Sequence, residues 1–180
     1  MTTTQSRPPR IPAKAERMRV PLWQRSQARL RERYGFDLSD RDALDKVNAL
    51  VAQSPDDAEL RLLLAAVLST RGEATMAEAE VRRALDLQPR LARARTTLAT
   101  LLVQRGAYAE GLNEARNAAA LDMHDPTILF NLGLAEWFAG ERKTAKAAFD
   151  RAAEALQPPP SAAGASARRR RFPWRRRDDG

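Results

Sequence analysis

The sequence predicts an all-α protein, a right-handed superhelical stack of antiparallel helix hairpins with disordered basic termini. Three observations carry that prediction. Of 180 residues 43% are hydrophobic and 30% charged, with 8 glycines, and the abundance of alanine and leucine over β-branched residues favours helix. Gly72, Gly106 and Gly140 are each separated by 34 residues. The same step links Leu64, Leu98 and Leu132; Ala65, Ala99 and Gly133; Ala77, Gly111 and Ala145; and Ala84, Ala118 and Ala152. Five columns in register without an insertion define a repeating unit.

Each unit reads as helix, glycine break, helix. The spacing predicts helices over 58–70 and 75–87, 92–104 and 109–121, and 126–138 and 142–156, giving repeats at 58–91, 92–125 and 126–157. Glycine at the break can adopt the left-handed conformation that ends a helix. Asp125 followed by Pro126 is an N-cap with proline at the first helical position. Gly133 lies inside a helix, where glycine costs about 1 kcal/mol relative to alanine. With Ala65 and Ala99 in the same column, it marks where the two helices of a hairpin approach most closely, while Leu64, Leu98, Leu132, Leu68, Leu102 and Phe149 fill the space around that contact.

The pattern resembles the tetratricopeptide repeat, whose 34-residue signature runs from an aromatic through Leu-Gly and Tyr to Ala, Phe and Pro. The third repeat carries it at Leu132-Gly133, Ala145 and Phe149, with Glu136 standing where a large apolar residue is usual. The first has Leu64-Ala65, Leu68, Ala77, Ala84 and Pro89; the second has Leu98-Ala99, Leu102, Tyr108 and Ala118, with a thin second helix at Gly111 and Ala115. One further step back reaches Leu30, Tyr34, Ala43, Val47, Leu50 and Pro55. Residues 22–57 are therefore expected to form a degenerate capping hairpin, although Arg31 falls where a small residue belongs.

The resemblance implies a concave groove lined by the first helix of each unit, binding a peptide or helix of a partner protein without catalysis. The expected peptide-binding residues are Leu62, Ala66, Arg93, Thr97, Thr100, Phe130, Asn131, Leu134, Trp137 and Phe138. Leu63, Ser69, Thr96 and Thr127 belong to the same column, and Arg25, Ala28 and Arg29 extend it into the degenerate unit. Leu62 and Ala66 occupy the places where one subset of the family holds the lysine and asparagine of a carboxylate clamp, and only Asn131 is reminiscent of that clamp. A mixed apolar and acidic peptide is the expected ligand.

Net charge is +8, unevenly placed. Residues 1–33 hold nine basic against two acidic residues, residues 161–180 hold seven against two, and residues 34–160 hold 15 against 19. Residues 1–21 read as a flexible basic arm and 158–180 as a disordered Pro/Ala then Arg-rich tail. In that tail Arg168, Arg169, Arg170, Arg171, Phe172, Trp174, Arg175, Arg176 and Arg177 are the expected contact with an anionic surface, a membrane or nucleic acid. The outer side of the last helix, with Ala147, Ala148 and Ala155, has no covering helix after it in the chain, which suggests a weak homodimer.

With no cysteine, disulfides and thiolate chemistry are excluded. His124 is the only histidine and falls in an inter-repeat loop, so no metal site, cofactor site or Ser-His dyad is expected. The start has no apolar run of secretory type, and the longest such run, residues 62–68, is too short to span a bilayer. The expectation is a bacterial cytoplasmic adaptor, peripheral at the inner face of the membrane if the tail binds lipid. The alternatives are a nucleic-acid- or ribosome-associated protein driven by its basic arms, and an assembly or secretion chaperone.

Overall fold

A computed structural model describes residues 9–157. Within them the chain forms eight helices and no strand: α1 (Ala13–Tyr34), α2 (Ala43–Gln53), α3 (Ala58–Thr70), α4 (Ala74–Leu87), α5 (Ala92–Gln104), α6 (Tyr108–Leu121), α7 (Pro126–Phe138) and α8 (Arg142–Leu156). The chain is thus an all-α solenoid. Helices α3–α4, α5–α6 and α7–α8 are the hairpins that the 34-residue period predicts.

Local chemistry places the ends. Asp57 and Asp125 cap α3 and α7, each side chain accepting from the backbone N–H groups two and three residues on, which satisfies donors the helix leaves open. Gly72, Gly106 and Gly140 turn the corner of each hairpin at φ of 82°, 89° and 92°, a region that side chains disfavour. The small columns lie in the seams: Ala65, Ala77, Ala84, Ala99, Ala118, Ala145 and Ala152 are essentially sealed from solvent.

Beneath these columns runs a second register that the sequence reading missed. Arg61 Nη1 donates to Glu80 Oε2 across the first hairpin at 3.2 Å while its Nε donates to the Pro55 carbonyl. One repeat on, Arg95 Nη1 donates to Glu114 at 2.8 Å and its Nε to the Pro89 carbonyl. Each arginine ties its own hairpin to the loop that precedes it. In the third repeat the same two positions are Leu129 and Ala148, both buried.

The N-terminal unit departs from expectation. Helix α2 packs on α3 as α4 packs on α5 and α6 on α7, so it holds the place of a second repeat helix. Helix α1, however, does not close against it as a first helix; its N-terminal half packs on α7 and α8, at the other end of the stack, while Leu30 and Tyr34 near its C-terminus reach the core of the first repeat. Nor does the chain remain an unstructured arm through residue 21, since α1 begins at Ala13. The charge of its C-terminal half accounts for the failed hairpin. Arg31, placed where a small side chain is needed, reaches out to Asp37, and exposed Arg25, Arg29 and Arg33 surround it.

Gly35, at φ 77°, ends α1. The following loop is pinned by Gln27, whose Oε1 accepts the Leu38 N–H at 3.2 Å, and by Phe36 and Leu38, buried against the first repeat. At about 1.5 Å per residue α1 spans roughly 33 Å, enough to cross the concave side from α3 to α8.

Candidate groove beneath the N-terminal helix

Because α1 crosses the concave side, the groove is roofed. Between α1 and the first helices of the repeats lies a cavity of about 630 Å³. Leu62, Leu63 and Ala66 of α3, Leu101 of α5 and Ile128 of α7 give it an apolar floor, and Leu30 and Tyr34 come from the roof. Arg93, Thr96, Thr97, Thr100 and Asn131 add the polar part of the wall. Of the expected peptide-binding residues, Leu62, Ala66, Arg93, Thr97, Thr100 and Asn131 therefore meet around one space.

Thr97 and Thr100 donate their hydroxyls to carbonyls one turn back, at Arg93 and Thr96. Their oxygens keep acceptor capacity toward the cavity. Asn131 is held by its Nδ2 donating to the Thr127 carbonyl at 2.8 Å. The wall thus offers oriented polar atoms of low charge.

The three arginines of the wall, Arg29, Arg33 and Arg93, are balanced by Glu32, Glu59 and Asp125 around the same cavity, and Arg33 lies over the Tyr34 ring. Arg93 is paired with Glu59, and Arg29 lies 3.7 Å from Asp125. This neutralisation disfavours the acidic component of the expected ligand and leaves the apolar component. Burial pushes the Tyr34 hydroxyl above its ordinary pKa, so it stays a neutral hydrogen-bonding group.

The aromatic residues of the third repeat do not form an open end of this groove. Phe130 is buried, tilted against Phe149 with ring centroids 5.8 Å apart, and lines a second cavity of about 490 Å³ on the other flank of α1, with Leu22, Thr127 and Asn131. Leu134 and Trp137 pack into the cluster that receives α1. The Arg142 guanidinium covers the Trp137 ring at 3.8 Å. Phe138 points elsewhere: it stacks on Tyr108 at 5.8 Å, bracing the second and third repeats. The i, i+4, i+7, i+8 spacing puts all four on one broad face of α7, and Phe138, at its edge, turns to Tyr108 while the other three meet α1 and α8.

The end of the stack is also not bare. Ala148 is buried in the seam between the second and third repeats, while α1 lies over Ala153 and Leu156 of α8. Ala147 and Ala155 stay exposed. His124 is exposed in the loop between α6 and α7. The expected anionic-surface residues, Arg168 to Arg177, lie outside the described residues. No described helix is long and apolar enough to cross a membrane.

No family model and no curated protein matches the chain. Solved structures do. A crystal structure of MamA protein superposes with a TM-score of 0.55 at 19% identity, covering 79% of this chain and 75% of that one. MamA 41-end from Desulfovibrio magneticus RS-1 gives 0.56 at 19% identity, over 81% and 77% of the two chains. YrrB, described as a TPR protein with an unusual peptide-binding site, gives 0.54 at 20% identity over 71% and 66%. With the repeat period, the glycine corners and the small-residue seams in place, this likeness makes the chain a protein of tetratricopeptide-repeat fold.

Proposed function

We propose that the chain is a non-catalytic adaptor that holds an extended, largely apolar segment of a partner protein in the roofed groove. The cavity between α1 and the concave face carries this reading. Its volume and apolar floor suit a few residues of extended chain. Thr97, Thr100 and Asn131 offer polar atoms to a peptide backbone, and paired charges spare the ligand a strong sign requirement. YrrB, similar in fold, is described as having a peptide-binding site, which supports the class of ligand. The expected acidic component is dropped because Arg93 and Arg29 are paired with Glu59 and Asp125 and the cavity carries as many carboxylates as arginines.

Selection of a random nonapeptide library against the intact protein tests this. Selected peptides should lose at least tenfold in affinity on Leu63→Arg and on Asn131→Ala, and keep it on Arg82→Ala, outside the groove. Peptides indifferent to both cavity substitutions would refute the groove as the binding site.

The basic tail supports a second, separate contact. Seven arginines with Phe172 and Trp174 within residues 168–177 suit a surface bearing phosphates, each basic residue near anionic lipid contributing about 1 kcal/mol. Cosedimentation with phosphatidylserine vesicles, lost when residues 168–180 are deleted, would support a peripheral membrane position. Loss of copurifying partners on nuclease treatment would favour nucleic acid instead.

A further inference from the structure

Helix α1 leaves the place that the repeat period gives it and seats itself on the last hairpin. Its contact face is narrow and regular. Ala15, Met18 and Leu22 follow one another at steps of three and four residues, the spacing of a coiled-coil seam, and Ile11, just before the N-cap Pro12, carries the stripe one position further. They meet Leu129, Phe130, Ala145, Phe149 and Ala152 in one cluster, with Trp137 and Leu156 at its edge.

Among the described side chains, this stripe is the main hold on the N-terminal half of α1, while Gln27, Leu30 and Tyr34 anchor its other end to the first repeat. Glu16, Arg17, Arg19, Val20 and Pro21 between the seam residues are exposed, and cavities lie along the helix beside Leu22 and Ser26. Its ion pairs, Lys14 with Asp150 and Arg29 with Asp125, join side chains largely open to solvent at their basic ends, and such pairs contribute little. Pro21 removes one backbone donor from the interior of the helix. The three repeat hairpins, by contrast, are joined by continuous buried seams.

We infer that the α7–α8 end of the solenoid is a receptor for a basic amphipathic helix, and that α1 is its built-in, exchangeable occupant. The partner is a helix with small or apolar residues at the same three-four spacing, preceded by an apolar residue like Ile11, and with a basic residue placed, like Lys14, to meet Asp150. Asp150 beside the seat, and Asp125 further along under Arg29, favour a helix carrying positive charge. Binding of that helix would lift α1 and unroof the groove. This seat is distinct from the cavity and does not rest on the groove reading.

The test uses the intact chain and, as probe, a fluorescent peptide of residues 9–34. In the unaltered protein the tethered α1 competes at high effective concentration, so the peptide should bind weakly. In the full-length Met18→Asp, Leu22→Asp protein, whose own α1 cannot seat, peptide affinity should rise at least tenfold. Adding Asp150→Lys should then reduce it severalfold, and Arg82→Ala, on the exposed side of α4 away from the seat and the cavity, should leave it unchanged. An affinity within twofold of the unaltered protein, with helical content retained, would overturn the proposal.

If the double variant fails to fold, hydrogen exchange on the unaltered protein decides. Amides of residues 13–22 should exchange at least tenfold faster than those of α5 and α7, and equal protection would show α1 to be a fixed part of the core. A dimer that forms on concentration and is dissolved by the peptide would give the seat to a second copy's α1 and overturn the partner assignment.

Discussion

Gly133 of α7 faces the ring of Phe149 on α8 so closely that a methyl group built on it would lie 2.7 Å from Cδ1 and Cε1 of that ring. The helix gives up about 1 kcal/mol of propensity here, and in exchange the Phe149 ring lies against the α7 backbone. Gly133→Ala recovers the propensity but overpacks a fully buried aromatic, an error of about 1–3 kcal/mol. We expect net destabilisation of about 1 kcal/mol by urea unfolding, abolished when Phe149→Leu is added.

Gly111 is the sterner case. A methyl group there would stand 3.1 Å from the Ala99 carbonyl oxygen and 3.3 Å from the Val103 nitrogen, besides 2.9 Å from a Val103 methyl. Backbone atoms of α5 cannot rotate away as a side chain can, so the helices themselves must separate. Gly111→Ala should therefore cost more than Gly133→Ala, about 2–3 kcal/mol. Parallel unfolding curves of the two variants give the comparison, and the reverse order would count against the backbone approach as the reason for this glycine.

The Arg95–Glu114 pair is about a fifth exposed on both sides, too sheltered to behave as a surface pair. Removing one partner strands the other in a poorly hydrated seam. Arg95→Leu alone should destabilise by about 1–3 kcal/mol, since Glu114 and the Pro89 carbonyl both lose a donor. Arg95→Leu combined with Glu114→Ala reproduces the Leu129 and Ala148 arrangement already present in the third repeat and should restore most of the loss. Thermal unfolding of the single and double variants measures the coupling.

The six helices of the three repeats were legible because one physical demand, close approach of two backbones, recurs at a fixed step and admits only glycine or alanine. The groove floor was legible for the same reason: once the seam columns are known, the opposite face of each first helix follows from helical geometry, and Leu62, Ala66, Arg93, Thr97, Thr100 and Asn131 do converge. The period carried α2 as well, since Ala43 and Val47 are fully buried. It failed at α1, where Leu30 and Tyr34 keep the step but Arg31 forbids the seam. The competing signal was the Ile11, Ala15, Met18, Leu22 stripe, obscured because the prolines and basic residues around it read as a flexible arm. The Arg61 and Arg95 ties were invisible as chemistry until their acceptors, two of them backbone carbonyls, were in place.

Pro21 sits in the ninth position of α1, exposed and without a backbone donor. An interior proline costs a helix up to about 3 kcal/mol, offset in part by the lower entropy it gives the unfolded chain. Pro21→Ala should therefore slow amide exchange in residues 13–22 severalfold while leaving α3 to α7 unchanged. A shift spread evenly over all helices would mean that α1 unfolds only with the whole molecule.

Glu136 stands in the column that holds Leu68 and Leu102 in the earlier repeats, and like them it is buried, with one carboxylate oxygen lacking any partner. Burial is the main influence and raises its pKa above the ordinary value, with a Thr144 hydrogen bond and the Arg116 charge opposing. The folded protein then binds this proton more tightly than the unfolded chain does. Its contribution favours folding at acid pH and turns unfavourable as pH rises from the ordinary carboxyl range through the elevated folded value. At neutral pH the full penalty is present. Glu136→Leu should raise stability at pH 7 by on the order of 1–2 kcal/mol, and the gain should shrink as pH falls into the carboxyl range. Urea midpoints of both proteins between pH 4 and pH 8 would show the two curves converging toward acid, and parallel curves would mean that the carboxylate is hydrated rather than buried.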